Sequence, residues 1–184
     1  EADVAALHAR HVDRFLGGRG LNMYYLYKYL PARVDALSPR NVLIFGSGLL
    51  TGTPSPSASR MNVSAKSPES RALGDANIGG FFGAKLRAAG LDRLIVFGRA
   101  EQLGYLYVAD GRVELRDSRH LRGLDANATQ DALEAELGEN IRVACIGESG
   151  EKLVRFAGVR TGLKGIAARG GMGAFLQAVV REHI

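Results

Sequence analysis

Arg60, Asn77 and Arg169 each stand beside a glycine cluster or a Ser/Pro-rich loop. Arginine suits phosphates and flat heterocycles, because its planar fork donates paired hydrogen bonds and stacks. An asparagine carbonyl is a neutral oxygen ligand, suited to magnesium where phosphates already supply the negative charge. Glycine lets a ligand approach backbone N–H groups closely, and a helix starting there favours an anion. These residue types therefore offer retention of something phosphorylated. Taken singly, each is equally an ordinary turn or surface residue.

Three Gly-Gly pairs open helix-like segments: "GGRGLNMYYLYKYL" from Gly17, "GGFFGAKLRAAG" from Gly79 and "GGMGAFLQAVV" from Gly170. One such cluster is plain turn chemistry, whereas three in one chain favour an anion site. None is a Walker A loop, because no Gly-Lys-Ser/Thr follows. The acidic residue that a dinucleotide fingerprint needs at the end of its second strand is also missing. The candidate contacts are thus Gly17, Gly18 and Arg19, then Gly79 and Gly80, then Arg169, Gly170 and Gly171, with Arg60 and Asn77 beside them. His8, His11, His120 and His183 have no zinc-ligand spacing, and no G-x-S-x-G elbow occurs. The residues describe a binder of something phosphorylated, not a complete catalyst.

The first two clusters continue alike, through a helix and a turn into an apolar run ending in glycine, "NVLIFGSG" and "DRLIVFGRA". That is an internal repeat, and it predicts two related loop–helix–strand halves. "RMNVSAKS" (60–67) alternates as a strand does. "YLYVADGRVELRD" (105–117) predicts a hairpin turning at Asp110-Gly111. "ATQDALEAELG" (128–138) predicts an amphipathic helix with Leu133 and Leu137 inward and Gly138 as its stop. "IRVACIG" and "KLVRFAGVR" read as further strands. Strands outnumber helices, so the expected class is α+β with mainly antiparallel sheets. No linker divides the chain, which reads as a single domain over residues 1–184.

The 184 residues carry a net charge of +5, and the basic residues are scattered. That pattern argues against nucleic-acid binding. No apolar run is long enough to cross a bilayer. The first residues lack a basic-then-apolar signal and read like a helix entered midway. A cytoplasmic piece of a longer protein is the expectation. The single cysteine, Cys145, excludes an internal disulfide and any cluster held by several thiolates of this chain. Its apolar surroundings fit a small buried hydrophobe.

Seven ordered segments resemble the N-terminal domain of the tungsten-containing aldehyde ferredoxin oxidoreductase family: "FLGGRGLN", "VDALSPRNVLIFGSGLLTGT", "SRMNVSAKSP", "GDANIGGFFGAKLRAAGLDRLIVFGRA", "YLYVADGRVELRDSRHLRG", "VACIGESGEKLVRFAGV" and "RGGMGA". The resemblance implies a base across which two molybdopterin dithiolenes lie, together holding one tungsten or molybdenum, with magnesium bridging their phosphates. It assigns the phosphate- and pterin-contacting arginine to Arg60 and the magnesium-binding asparagine to Asn77. A backbone carbonyl at Ile166 becomes the second protein ligand of that ion. It implies aldehyde oxidation with electrons passing to ferredoxin. The 4Fe-4S cluster and the substrate residues would belong to further domains or a separate subunit.

Three departures stand against the family pattern. The usual opening strand hairpin is missing. "TGLKGIAA" replaces a His-Arg-Ala-Ala-Gly run, so the matched arginine is Gly165, with Lys164 or Arg160 as possible substitutes. "GAFLQAVVREHI" replaces the common Gly-Ser-Lys-Asn-Leu continuation. The altered segment motivates an alternative, a non-catalytic binding or assembly module that kept the fold. Two geometric expectations follow. Arg60 and Asn77 should share one concave surface with the Gly17–Gly20 and Arg169–Gly171 loops. Phe81, Phe82 and Met172 should lie together and partly accessible.

Overall fold

The computed structural model describes residues 11–162 and 165–180. Its framework is a four-stranded sheet of β1 (Val42–Ser47), β2 (Met61–Lys66), β3 (Leu73–Ile78) and β4 (Arg93–Phe97), ordered β3-β2-β1-β4. A hairpin of β5 (Gly104–Ala109) and β6 (Arg112–Asp117) forms a second sheet, and β7 (Ala144–Cys145), β8 (Val159–Thr161) and β9 (Gly165–Ala167) form a third. The helices are α1 (Gly18–Tyr29), α2 (Phe82–Ala88), α3 (Ala126–Leu137), α4 (Glu148–Glu151) and α5 (Met172–Val180). Every ladder among the described residues is antiparallel. The class is α+β.

β1 is buried along its whole length because helices cover both faces of the sheet. Val42 and Ile44 meet Leu21, Tyr25 and Leu26 of α1. The alternate residues, Leu43 and Phe45, join Met61, Val63, Ile78 and the α5 residues Met172 and Phe175. This period of two, with both sides apolar, explains the unbroken "VLIF" run. The two loop–helix–strand halves meet at the β1–β4 ladder, where Ile44 faces Ile95. Their helices take opposite faces. α1 lies over Ile44, and α2 places Phe82 and Leu86 in the core with Phe45.

The hairpin turns at Asp110 and Gly111, both with positive φ, as a two-residue turn requires. α3 begins two residues ahead of the expected 128–138 segment. There Asp125 caps it, its carboxylate accepting from the Asn127 and Ala128 amides at 2.8 and 2.9 Å. Those amides hold the Asp125 carboxyl below the usual carboxylate range. Leu133 is buried as expected.

Other expectations need correction. The strands read from "IRVACIG" and "KLVRFAGVR" shrink to β7 and β8, and residues 148–151 form a turn of helix. Met172 is fully buried rather than accessible. Gly170 and Gly171 turn the chain with φ of 72° and 69°. That turn tucks Met172 beneath the sheet, its methyl against Gly74. Phe81 is exposed, while Phe82 is half-buried with its ring 6.3 Å from Phe45. None of the described helices is long and apolar enough to cross a membrane.

Candidate anion and cofactor site

The sheet face under α1 is polar at its β3 end. Asn62 of β2 faces Asn77 across one ladder and Gly46 across the other, and Ser64 faces Asp75. The fully buried Asn22 reaches down from α1 into this patch. Its amide donates to Asn62 Oδ1 at 2.9 Å and to the Ile44 carbonyl at 3.3 Å. Its own oxygen accepts from Arg93 Nε at 2.9 Å. Gly46 makes room, since a Cβ there would stand only 2.9 Å from Asn22 Cγ. The Arg93 guanidinium lies 5.1 Å over the Tyr25 ring. Burial lowers the Arg93 pKa and raises that of the Tyr25 phenol, and each group moderates the other.

This network reaches the surface through Asn62. Its amide donates to Asn77 Oδ1 at 3.2 Å and to the Asp75 carboxylate. The amide plane of Asn77 is thereby oriented, and the second lone pair of its oxygen remains for another partner. Asp75 in turn pairs with Arg19 at 2.7 Å.

Beside Asn77 lies a concavity of about 530 Å³ at the seam between the four-stranded and three-stranded sheets. Its lining combines Arg60, Asn77, Gly79, Gly80, Phe81 and Phe82, at or beside the four-stranded sheet, with Arg142, Val143, Thr161, Gly165 and Ile166, at or beside the three-stranded sheet. Thr51 fixes the approach to β2 by donating its hydroxyl to the Arg60 carbonyl at 2.8 Å. Gly79 and Gly80 follow the end of β3, and a Cβ on either would meet nothing within 4 Å. The side of each that a side chain would occupy therefore faces open space. Across the seam the Thr161 hydroxyl lies 3.5 Å from the Gly79 carbonyl. β9 is an edge strand, which leaves part of its backbone outside the ladder. The described lining holds two arginines and no carboxylate.

Of the residues singled out in the sequence, Arg60, Asn77, Gly79, Gly80 and Ile166 come together here. Gly165, Phe81 and Phe82 line it as well, and the remaining candidates do not. Gly17 and Gly18 pack against the turn at Gly48 and Leu49. Arg19 is engaged by Asp75, more than half exposed. Gly170 and Gly171 serve packing, because a Cβ on Gly171 would overlap the Arg155 carbonyl. Arg169 is exposed at that same turn. Arg142 and Thr161 carried no sequence signal, since neither adjoins a glycine cluster that opens a helix.

A larger cavity, about 600 Å³, lies between α2, the hairpin and α3. Apolar side chains such as Leu86, Val96, Val108 and Leu133 dominate it. Burial pushes the Cys145 thiol at its edge up to about 11, so no thiolate is available near neutral pH. Among the described residues no cluster of His, Cys, Asp or Glu could hold a metal ion. The glycine-walled concavity, where Arg60, Asn77, Arg142 and Thr161 stand beside Phe81, Phe82 and Ile166, is therefore the candidate site.

The family model for the N-terminal domain of aldehyde ferredoxin oxidoreductase matches residues 1–179. The chain belongs to this family. The tungsten-containing aldehyde ferredoxin oxidoreductase of Pyrococcus furiosus is 43% identical over 164 residues, covering 89% of this chain and 27% of that protein. The Pyrococcus abyssi enzyme of the same description is 42% identical, over 92% of this chain and 29% of its own length. More distant is the WOR-like subunit of an aliphatic sulfonate oxidoreductase from P. furiosus, at 34%. Among solved structures, a chain of the active-site complex BamBC of benzoyl coenzyme A reductase, with bound 1,5-dienoyl-CoA, superposes with a TM-score of 0.89. It is 38% identical over 93% of this chain and 26% of that chain. The chain thus spans little more than a quarter of the length of these proteins.

Proposed function

We propose that this chain is the cofactor-cradling domain of a tungsten or molybdenum oxidoreductase of the aldehyde ferredoxin oxidoreductase type. One observation carries the reading. Arg60, Asn77, Gly79–Gly80 and Ile166, scattered over more than 100 residues of sequence, line one concavity that has no carboxylate among its described residues. The residues fit a bis-molybdopterin group with bridging magnesium. Open space beside Gly79 and Gly80 would let a flat, phosphorylated ligand approach within hydrogen-bond reach. Arg60 would hold phosphate through its guanidinium fork. Asn77 Oδ1, fixed by Asn62, would offer magnesium a neutral oxygen and add no negative charge between two phosphates. A backbone carbonyl of β9 at Ile166 would face it across the seam.

When bound, the metal would supply two-electron redox chemistry, oxidising an aldehyde to a carboxylic acid, and this domain would hold and orient it. The single-domain boundaries, the catalytic and 4Fe-4S domains on the same or another polypeptide, ferredoxin as acceptor and a cytoplasmic setting belong to the same proposal. The 184-residue chain by itself should not oxidise aldehydes, because it has one cysteine and no metal-ligand cluster among its described residues.

The test is tungsten, molybdenum and pterin content per assembled enzyme, with Asn77→Ala and Arg60→Ala. Both variants should stay folded, since both side chains are exposed, and both should lose cofactor. Full retention in both refutes the proposal. Failure of the wild-type chain to retain any cofactor with its partner domains would favour the assembly-module alternative, which the Gly165 departure suggests.

A further inference from the structure

We infer that Arg142 is the second phosphate-binding cation of this site, acting with Arg60. The inference rests on reading the concavity as a phosphate site and adds a residue to it. Arg60, just before β2 of the four-stranded sheet, and Arg142, just before β7 of the three-stranded sheet, both line this concavity, and Arg142 also borders the larger cavity. Both are exposed, and among the described residues neither has a carboxylate within ion-pair distance. Arg19, Arg87 and Arg119 pair with Asp75, Asp92 and Asp117, whereas Arg60 and Arg142 share with exposed residues such as Arg71 and Arg169 the lack of a described carboxylate partner; what sets these two apart is that they line one concavity. Two uncompensated guanidiniums lining a gap free of described acidic groups make a local positive field suited to a multiply charged anion.

The neighbouring wall explains why the charge comes from this position. Gly165 cannot carry a side chain. A Cβ there would lie 2.8 Å from the Thr161 carbonyl oxygen and 2.9 Å from that of Gly79, and would overlap the Thr161 hydroxyl. An arginine at 165 would push β9 off the end of β3. Arg160 does not serve either, since its Nε donates to the Gly162 carbonyl at 3.2 Å and its charge bears on Cys145 and Asp125, away from the seam.

Arg142 is well placed by its surroundings. Val143 beside it is buried with Leu121 and Leu133, and Lys85 of α2 donates to Asn140 Oδ1 at 2.8 Å. These anchors hold the segment at the mouth of the concavity. The guanidinium itself folds back on the Ile141 carbonyl at 2.5 Å, a contact it can exchange for a phosphate without moving the backbone.

The experiment uses the 184-residue chain and inorganic pyrophosphate with magnesium, titrated by calorimetry at several salt concentrations. Arg142→Ala should weaken binding about tenfold, the scale of one charge-assisted contact, and lower the salt slope by about one. Arg142→Lys should recover part of the affinity as a point charge. Arg112→Ala, on the distant hairpin, controls for net charge and should leave affinity unchanged, and thermal midpoints should match throughout. If Arg60→Ala weakens binding while Arg142→Ala behaves like Arg112→Ala, the inference about Arg142 is overturned and the site reading stands. If wild type does not bind pyrophosphate, or neither Arg60→Ala nor Arg142→Ala changes the affinity, both are overturned.

Discussion

Replacing Asn22 with alanine should destabilise the chain by about 3 kcal/mol, although Asn22 touches no ligand. The figure comes from what its carboxamide leaves behind. Arg93, half-buried under α1, loses the acceptor at 2.9 Å for its Nε. Asn62 Oδ1 loses a donor at 2.9 Å and keeps that of Ser64. The Ile44 carbonyl loses a longer contact at 3.3 Å but keeps its strand environment. An unmade buried hydrogen bond costs about 1–3 kcal/mol, with the charged partner at the upper end. A small cavity over Gly46 adds to this. Urea unfolding followed by circular dichroism should show a lower midpoint at unchanged slope.

A double-mutant cycle isolates the cause. Asn22→Leu keeps the shape and Arg93→Met removes the charge, so the double variant should be more stable than the sum of the single losses by about 1 kcal/mol or more. Additive losses, or a cost for Asn22→Ala below about 1 kcal/mol, would refute the claim that this network is a coupled, satisfied unit.

Gly171→Ala should cost about 3 kcal/mol or more in the same assay. It adds a Cβ at φ 69° against the Arg155 carbonyl. Gly79→Ala, with open space around it, should stay within about 1 kcal/mol of wild type. Cys145 should react slowly with iodoacetamide at pH 8 in the folded chain, the rate rising toward pH 11, and quickly once unfolded, because burial raises its pKa to about 11. Fast folded-state alkylation at pH 8 would contradict that. Asp125 titrates below the usual carboxylate range, so its share of stability is complete above about pH 4 and is lost as pH falls through its folded value. Asp125→Asn keeps a capping oxygen without the titration, and its unfolding midpoint should fall less steeply between pH 5 and 2 than that of wild type.

Elements whose local chemistry and tertiary role agree were legible in the sequence. Asp110-Gly111 announced its hairpin because both residues tolerate the left-handed conformation the turn demands. The β1 and β4 runs were visible as apolar, β-rich segments that end in glycine. β3 was not, since Gly74, Asp75, Ala76 and Asn77 are poor strand formers and pairing with β2 overrides that preference. β9 escaped for the same reason, its pairing set by β8 and by the close approach of Gly165 to Gly79. The candidate concavity was half legible. Arg60, Asn77 and Gly79–Gly80 announce themselves by type and company. Arg142 enters only through the docking of the third sheet, a long-range event with no local trace. The glycine clusters at Gly17 and Gly170 carry the same residues but stand outside the concavity, because tight packing and ligand approach demand the same residue.

The seam between β3 and β9 has a mechanical consequence. Strands of two or three residues form a sheet with little cohesion of its own. A ligand gripped by Arg60 and Asn77 on one bank and by the 142–166 segment on the other would act as mortar between the two sheets. Its binding energy would then appear as reduced opening of the weaker bank, about 2.7 kcal/mol at a hundredfold excess over Kd. Amide hydrogen exchange at Val159–Thr161 and Gly165–Ala167 would register that grip while the four-stranded sheet stayed unchanged. Loading of such a domain would be a closing step in its folding, with the joint setting only once its filler is in place.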